Sequence, residues 1–242
     1  MSAKNISLSI VIPAYNEERR IGSTIESITS YMQDVKKSYE IIVVDDGSRD
    51  GTIRIVQEKL KTVPHKIIQN SVNRGKGFSV RRGVLEATGA AVLFTDSDLS
   101  TPIEEIVKLE AALSAGYDVA VGSRSVVASD IVVRQNCLRE LMGKTFNLLA
   151  RLFVFQNISD SQCGFKAFTQ SAACVLFQRQ KINGFCFDAE LLYLAKKFKF
   201  RVKEVGVCWK NSPESKVRIL NDSVSMFIDL MRIPLIHLGE KY

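Results

Sequence analysis

Short aliphatic runs alternate with amphipathic stretches through the first half of the chain. Residues 6–12 are largely β-branched and aliphatic and stop at Pro13, which predicts a buried strand. Behind it Ile21, Ile25, Ile28 and Met32 recur at spacings of four and three, the period of a helix with one apolar face. The pair of patterns repeats: strand 39–44 with a helix to about Leu60, strand 65–69 with a helix to Glu86, then strand 90–95. The next helix would open on a capping box, with Thr101 as N-cap, Pro102 at the first helical position and Glu104 at the third. Four strand–helix units in about 115 residues predict an α/β fold with a mostly parallel, doubly wound central sheet flanked by helices, and such sheets bind ligands at the carboxyl ends of their strands.

After a strand at 117–121 the alternation fades. Residues 137–155 read as a helix with a leucine-rich face beside Arg139, Lys144 and Arg151, and 160–165 read as a turn. A helix is expected at 187–198, a strand at 202–207, and a closing helix at 220–238 interrupted by Pro234. No repeat, low-complexity stretch or linker divides the chain, so 1–242 is expected to form one domain.

The polar residues gather where the strands end. Pro13, Tyr15 and Glu17 follow the first, Asp45 and Asp46 the second, Lys76 between two glycines the third, Asp96-Ser97-Asp98 the fourth, and Gly122-Ser123-Arg124 the fifth. Two carboxylates one residue apart suit a hard divalent cation carrying phosphate oxygens, and they equally suit a helix-entry turn. Of the acid pair, Asp46 is expected to face a ligand and Asp45 to hold the turn. The stretch around Lys76 lacks the spacing of a P-loop, which argues against a P-loop NTPase, although small residues at a helix start still suit a diphosphate. Arg124 and Arg134 are candidates for gripping a second anion.

Composition narrows the partners. A net charge of +7 favours polyanions. No aromatic–basic platform of the kind single strands stack on is visible, so nucleic acid is not expected. Five scattered cysteines and two histidines speak against a disulfide framework or a zinc site and fit a reducing cytoplasm. No secretory leader is read at the start, and the longest apolar region, 145–158, is broken by Arg151 and falls short of the ~18 residues of a span. Contact with a membrane is therefore expected to be peripheral. The 137–155 helix would either pack on the sheet or lie in the headgroup layer.

Taken together, the motifs 12–17, 44–52, 73–77, 96–98 and 122–124 resemble those of family 2 glycosyltransferases of the GT-A fold. The segments 160–166 and 187–195, and Trp209 with 213–216, resemble the branch of dolichyl-phosphate β-glucosyltransferases, close kin of dolichyl-phosphate mannose synthases. The resemblance implies inverting transfer of a hexose, with glucose from UDP-glucose ahead of mannose from GDP-mannose, to a polyprenyl or dolichyl phosphate at the cytoplasmic face of a membrane. It implies Mg2+ or Mn2+ as cofactor. Pro13, Tyr15, Glu17 and Asp46 would hold the nucleoside and Lys76 the diphosphate. Asp96 would serve nucleotide and metal, and Asp98 would ligate the metal. Arg124 and Arg134 would receive the lipid phosphate, and Lys216, in a mobile loop, would close over the diphosphate. Residues 1–125 would form the nucleotide-sugar half and 126–242 the acceptor and membrane-facing half. Two departures stand out: the N-terminal anchor of eukaryotic members is not seen, and Ser100 replaces a glutamine of the mannose synthases, leaving a third metal ligand open. Asp160 and Asp188 could meet sugar hydroxyls, with helix capping the simpler role for Asp188. A sugar nucleotidyltransferase would use similar carboxylates, and a basic surface module would account for the charge alone.

Overall fold

In the computed structural model, which describes residues 6–126, 130–133, 146, 158–210 and 219–239, the expected alternation is present. Strands β1 (Leu8–Ala14), β2 (Tyr39–Asp45), β3 (His65–Gln69) and β4 (Ala91–Thr95) are linked by helices α1 (Ile21–Asp34), α2 (Thr52–Lys59) and α3 (Lys76–Leu85). Helix α4 (Ile106–Ser114) then leads to β5 (Val119–Ser123), and β6 (Asp130–Val133) follows. Beyond lie β7 (Phe165–Thr169), α5 (Gln170–Arg179), α6 (Phe187–Lys197), β8 (Val202–Gly206), β9 (Cys208–Lys210) and α7 (Ile219–Ile236).

One seven-stranded sheet has the order β3-β2-β1-β4-β7-β5-β8, parallel throughout except for β7, and β6 pairs separately with β9. The order reverses between β1 and β4, which opens the crevice where doubly wound sheets take their ligands. The sheet draws strands from both sides of residue 125.

The period of two along each strand separates the cores. Val11, Ile42, Val44, Val92 and Phe94 face α3, α5 and α6, while Ile10, Ile12, Ile41, Val43 and Leu93 face α1, α2 and α4. Helix α3 lies close to the sheet because Gly83 has no side chain; a Cβ there would sit 2.5 Å from Val11 Cγ1 and 2.9 Å from Val44 Cγ2.

Three local expectations differ from the structure. Pro13 does not end β1 but continues it beside Val44. No capping box forms at Thr101: a 3-10 turn, Ile103–Glu105, precedes α4, Pro102 precedes that turn with no side-chain cap, and Thr101 is buried beside Cys163. Pro234 does not interrupt α7, which runs through it to Ile236 although proline has no N–H to give the carbonyl four residues back. The expected helix at 137–155 lies outside the described residues, apart from a buried helical Phe146.

Candidate active site

The loops after β1 and β2 hold each other. Asn16, at φ 54°, donates its N–H to Ser48 Oγ (2.8 Å) and accepts from the Arg49 N–H at Oδ1 (2.8 Å). Glu17 N–H reaches Thr52 Oγ1 (2.7 Å), and Gly51 N–H reaches Glu18 Oε2 (2.8 Å). Each loop thus satisfies backbone donors of the other, which fixes the two strand ends side by side. Glu17, expected to hold the nucleoside, is buried with its carboxylate on Arg20, whose Nε and Nη2 donate at 2.8 Å each. Pro13 is in the sheet, and the Tyr15 side chain stands at the crevice rim, 37% exposed.

Asp46 is the staple of the following loop. Its Oδ1 accepts from Asn70 Nδ2 (2.7 Å) and the Arg74 N–H (2.9 Å), and its Oδ2 from the Gly75 N–H (2.8 Å). Asp45 accepts the Ser48 N–H at Oδ2 (3.2 Å), but its Oδ1 is buried with no hydrogen-bond partner among the described residues. Both acids shape loops here: Asp46 holds the one that carries Lys76, and Asp45 holds its own turn while keeping one unsatisfied acceptor. The glycines beside Lys76 serve packing. A Cβ at Gly75 would run into the Asn183 carbonyl, and one at Gly77 would stand 2.7 Å from Phe187 Cβ and 2.8 Å from the Ile182 carbonyl.

At the end of β4, Lys76 Nζ lies 2.6 Å from Asp96 Oδ1. Asp98 accepts the Ser100 N–H at Oδ1 (3.0 Å), and its Oδ2 is 3.6 Å from Arg20. Leu99 adopts φ 44° to complete this turn. Room for the Asp96 carboxylate comes from Gly164, where a Cβ would sit 2.7 Å from Oδ1 and closer still to Oδ2. Burial pulls the Lys76 pKa down, yet Asp96 and then Asp188 outweigh it, so the ammonium is held above its ordinary range.

Two further ion pairs, each with a buried carboxylate, join residues that the sequence reading did not assemble. Arg124 donates to Asp160 through Nε (2.6 Å) and Nη2 (2.8 Å), and its backbone N–H adds a third bond (3.0 Å). Burial would raise Asp160, but the guanidinium outweighs it and brings the carboxyl down to about 2. Lys166, in the middle of β7, is buried with Nζ 2.5 Å from Asp188 and 2.6 Å from the Cys163 carbonyl. Asp188 does not cap α6, whose N-cap is Cys186, and burial, opposed by Lys166 and Lys76, raises its pKa. The signal for Lys166 is a lysine between Phe165 and the apolar pair Ala167-Phe168. Arg134 and Lys216 lie outside the described residues.

Mg2+ is commonly held by one or two carboxylates with phosphate and water oxygens making up the rest. Asp96, with the room Gly164 leaves it, and Asp98 two residues on offer two such carboxylates at the end of β4. Among the described residues no group of three or more His, Cys, Asp or Glu forms a closed metal site. The donor set thus fits a cation shared with a diphosphate.

Residues 9–177 match the family model described as glycosyl transferase family 2. The chain belongs to glycosyltransferase family 2. It is a glycosyltransferase related to enzymes named dolichyl-phosphate β-glucosyltransferase. That of Dictyostelium discoideum is 34% identical over 95% of this chain and 74% of its own length. That of Saccharomyces cerevisiae is 34% identical over 97% and 76%, and that of Homo sapiens 33% over 96% and 76%. Among solved structures, this family 2 chain resembles glucosyl-3-phosphoglycerate synthase from Mycobacterium tuberculosis in complex with UDP, at TM-score 0.72 and 20% identity over 98% of this chain and 82% of that one. The same synthase with Mn2+, UDP-glucose and phosphoglyceric acid superposes at TM-score 0.69 and 20% identity, over 98% and 81%. These likenesses establish the GT-A fold. Among the described residues no helix is long and apolar enough to cross a membrane.

Proposed function

We propose that the protein transfers a glucosyl group from UDP-glucose to a polyprenyl phosphate of the dolichyl type, with inversion at the anomeric carbon. The carrying observation is the Lys76–Asp96 ion pair at the sheet's switch point, with Asp98 two residues on, in a chain that aligns over 95% of its length with a dolichyl-phosphate β-glucosyltransferase. An acceptor phosphate oxygen bonds to C1 as the C1–O bond to the β-phosphate breaks, and the electron pair leaves with UDP. The acceptor phosphate is already an anion at pH 7, so the residues must position and neutralise rather than remove a proton.

A divalent ion, Mg2+ or Mn2+, on Asp96 and Asp98 would neutralise the departing diphosphate. Lys76, held protonated, adds a positive charge beside Asp96. The unsatisfied Asp45 Oδ1 is suited to an N–H of the base or a ribose hydroxyl, while Asp46 fixes the loop that carries Lys76. Arg124, oriented by Asp160 through Nε and Nη2, keeps Nη1 uncommitted to that carboxylate and directs it to the acceptor phosphate. Arg134 and Lys216 take acceptor and diphosphate roles by resemblance. Apart from Arg124, residues 1–125 then serve the donor and 126–242 the acceptor, at the cytoplasmic face of a membrane.

The test is transfer of labelled sugar to a polyprenyl phosphate from UDP-glucose, GDP-mannose and UDP-N-acetylglucosamine, with Mg2+. Lipid-linked label from UDP-glucose alone is the expected result. Label from GDP-mannose instead would replace glucose by mannose, and no label from any donor would overturn the reading.

A further inference from the structure

Helix α7 is apolar on two opposite sides. Leu230 and Ile233 pack into the core, whereas Val224, Phe227, Ile228, Met231 and Leu235, with Leu238 just beyond the helix, are exposed. Their spacings of three, one, three, four and three keep all six on one stripe opposite the buried side. At 1.5 Å per residue the stripe is about 21 Å long. Leu235 is 68% exposed and Leu238 81%. A contiguous apolar stripe of this kind marks a contact surface, unlike scattered single residues.

Cations surround its C-terminal end. Arg232 flanks the stripe with 61% of its side chain exposed, 3.8 Å from the less exposed Asp229. Lys181 Nζ donates to the Ile236 carbonyl at 2.6 Å. Exposed Lys196 and Lys197 end α6 alongside, and Lys197 lies over the Tyr193 ring, which in turn neighbours His237 at 5.9 Å. In a symmetric pair of copies meeting through this stripe, these cations would face their own counterparts. An anionic surface neutralises them.

We propose that the α7 stripe lies in the surface of a bilayer containing anionic phospholipid, its apolar side chains among the acyl chains and Arg232 and the lysines at the headgroups. The proposal rests on the reading above in one respect, that the acceptor is a membrane lipid. Helix α7 is also linked to the crevice: the segment following Lys181 packs against Gly75 and Gly77 beside Lys76, and Gly184 faces Asp229 of α7.

Vesicle flotation tests it, using phosphatidylcholine vesicles with and without 30% phosphatidylserine as the probe and no polyprenyl phosphate. Wild-type protein should float with the anionic vesicles and do so less at high salt. The Phe227→Gln/Ile228→Gln/Leu235→Gln variant, altered only at exposed positions, should partition at least tenfold less at an unchanged melting temperature. Three results would overturn the proposal: wild-type protein that ignores anionic vesicles, a triple variant that partitions like wild type, or a wild-type dimer that the variant converts to monomer in light scattering. Transfer to a short-chain polyprenyl phosphate in detergent is scored in parallel. Transfer without flotation refutes the docking surface alone, and flotation without transfer refutes the proposed reaction alone.

Discussion

Replacing Gly164 by alanine probes the Asp96 carboxylate without touching it. A Cβ at this position would sit 2.7 Å from Oδ1 and nearer to Oδ2. With ordinary contact at ~3.4 Å or more, the carboxylate must retreat by about 0.7 Å at one oxygen and more at the other. The 2.6 Å ion pair with Lys76 is lost with it. A displacement of about 1 Å in a positioning group costs on the order of 100-fold in rate. Because Asp96 is partly exposed, it can swing toward solvent, so the overpacking cost stays near the lower end of ~1–3 kcal/mol and the melting temperature moves by only a few degrees. The assay is the initial rate of UDP release from UDP-glucose with polyprenyl phosphate and titrated Mg2+, read beside a thermal melt. A kcat/KM about 100-fold below wild type in a folded protein is expected. An unchanged kcat/KM would refute the reasoning, since the transfer would then not depend on where Asp96 stands.

Three further outcomes follow from the same geometry. Asp45→Asn should weaken UDP binding roughly tenfold in calorimetry at a near-wild-type melting temperature, while Asp46→Ala, which frees three donors, should lower the melting temperature as well. Lys166→Met strands Asp188 and should cost about 3–5 kcal/mol in urea unfolding, and the Lys166→Met/Asp188→Leu pair should recover much of it. Asp160, at about 2 in the folded protein against 3.8, contributes on the order of 2 kcal/mol; this is present above pH ~4 and lost as pH falls toward 2, so the stability gap between wild type and Asp160→Asn should narrow by about 1 kcal/mol from pH 6 to pH 3.

Local periodicity made the first half of the fold legible. The expected β3 coincides with His65–Gln69, and Ile21, Ile25, Ile28 and Met32 are all buried on α1, because both signals are read within a few residues. Strand β7 was not legible. Its residues Phe165 to Phe168 are all buried, which removes the alternation of a half-buried strand, and Lys166 interrupts the apolar run; its antiparallel place between β4 and β5 is a long-range fact. The site divides along the same line. Asp96, Asp98 and Lys76 could be found as polar residues at strand ends. Which acid of the Asp45–Asp46 pair keeps an unsatisfied oxygen is decided by Asn70, 24 residues on, and Arg124 is oriented by Asp160 from 36 residues away. Such pairings leave no trace in spacing.

In the proposed reaction the carboxylates at the end of β4, with a divalent ion, hold the diphosphate of UDP-glucose. Calorimetric titration of UDP-glucose into wild type and Asp98→Asn, each with Mg2+ and with chelator, tests it most directly. Mg2+ should tighten binding by tenfold or more in wild type and not in the variant, with equal affinities in chelator. Equal tightening by Mg2+ in both proteins would contradict it.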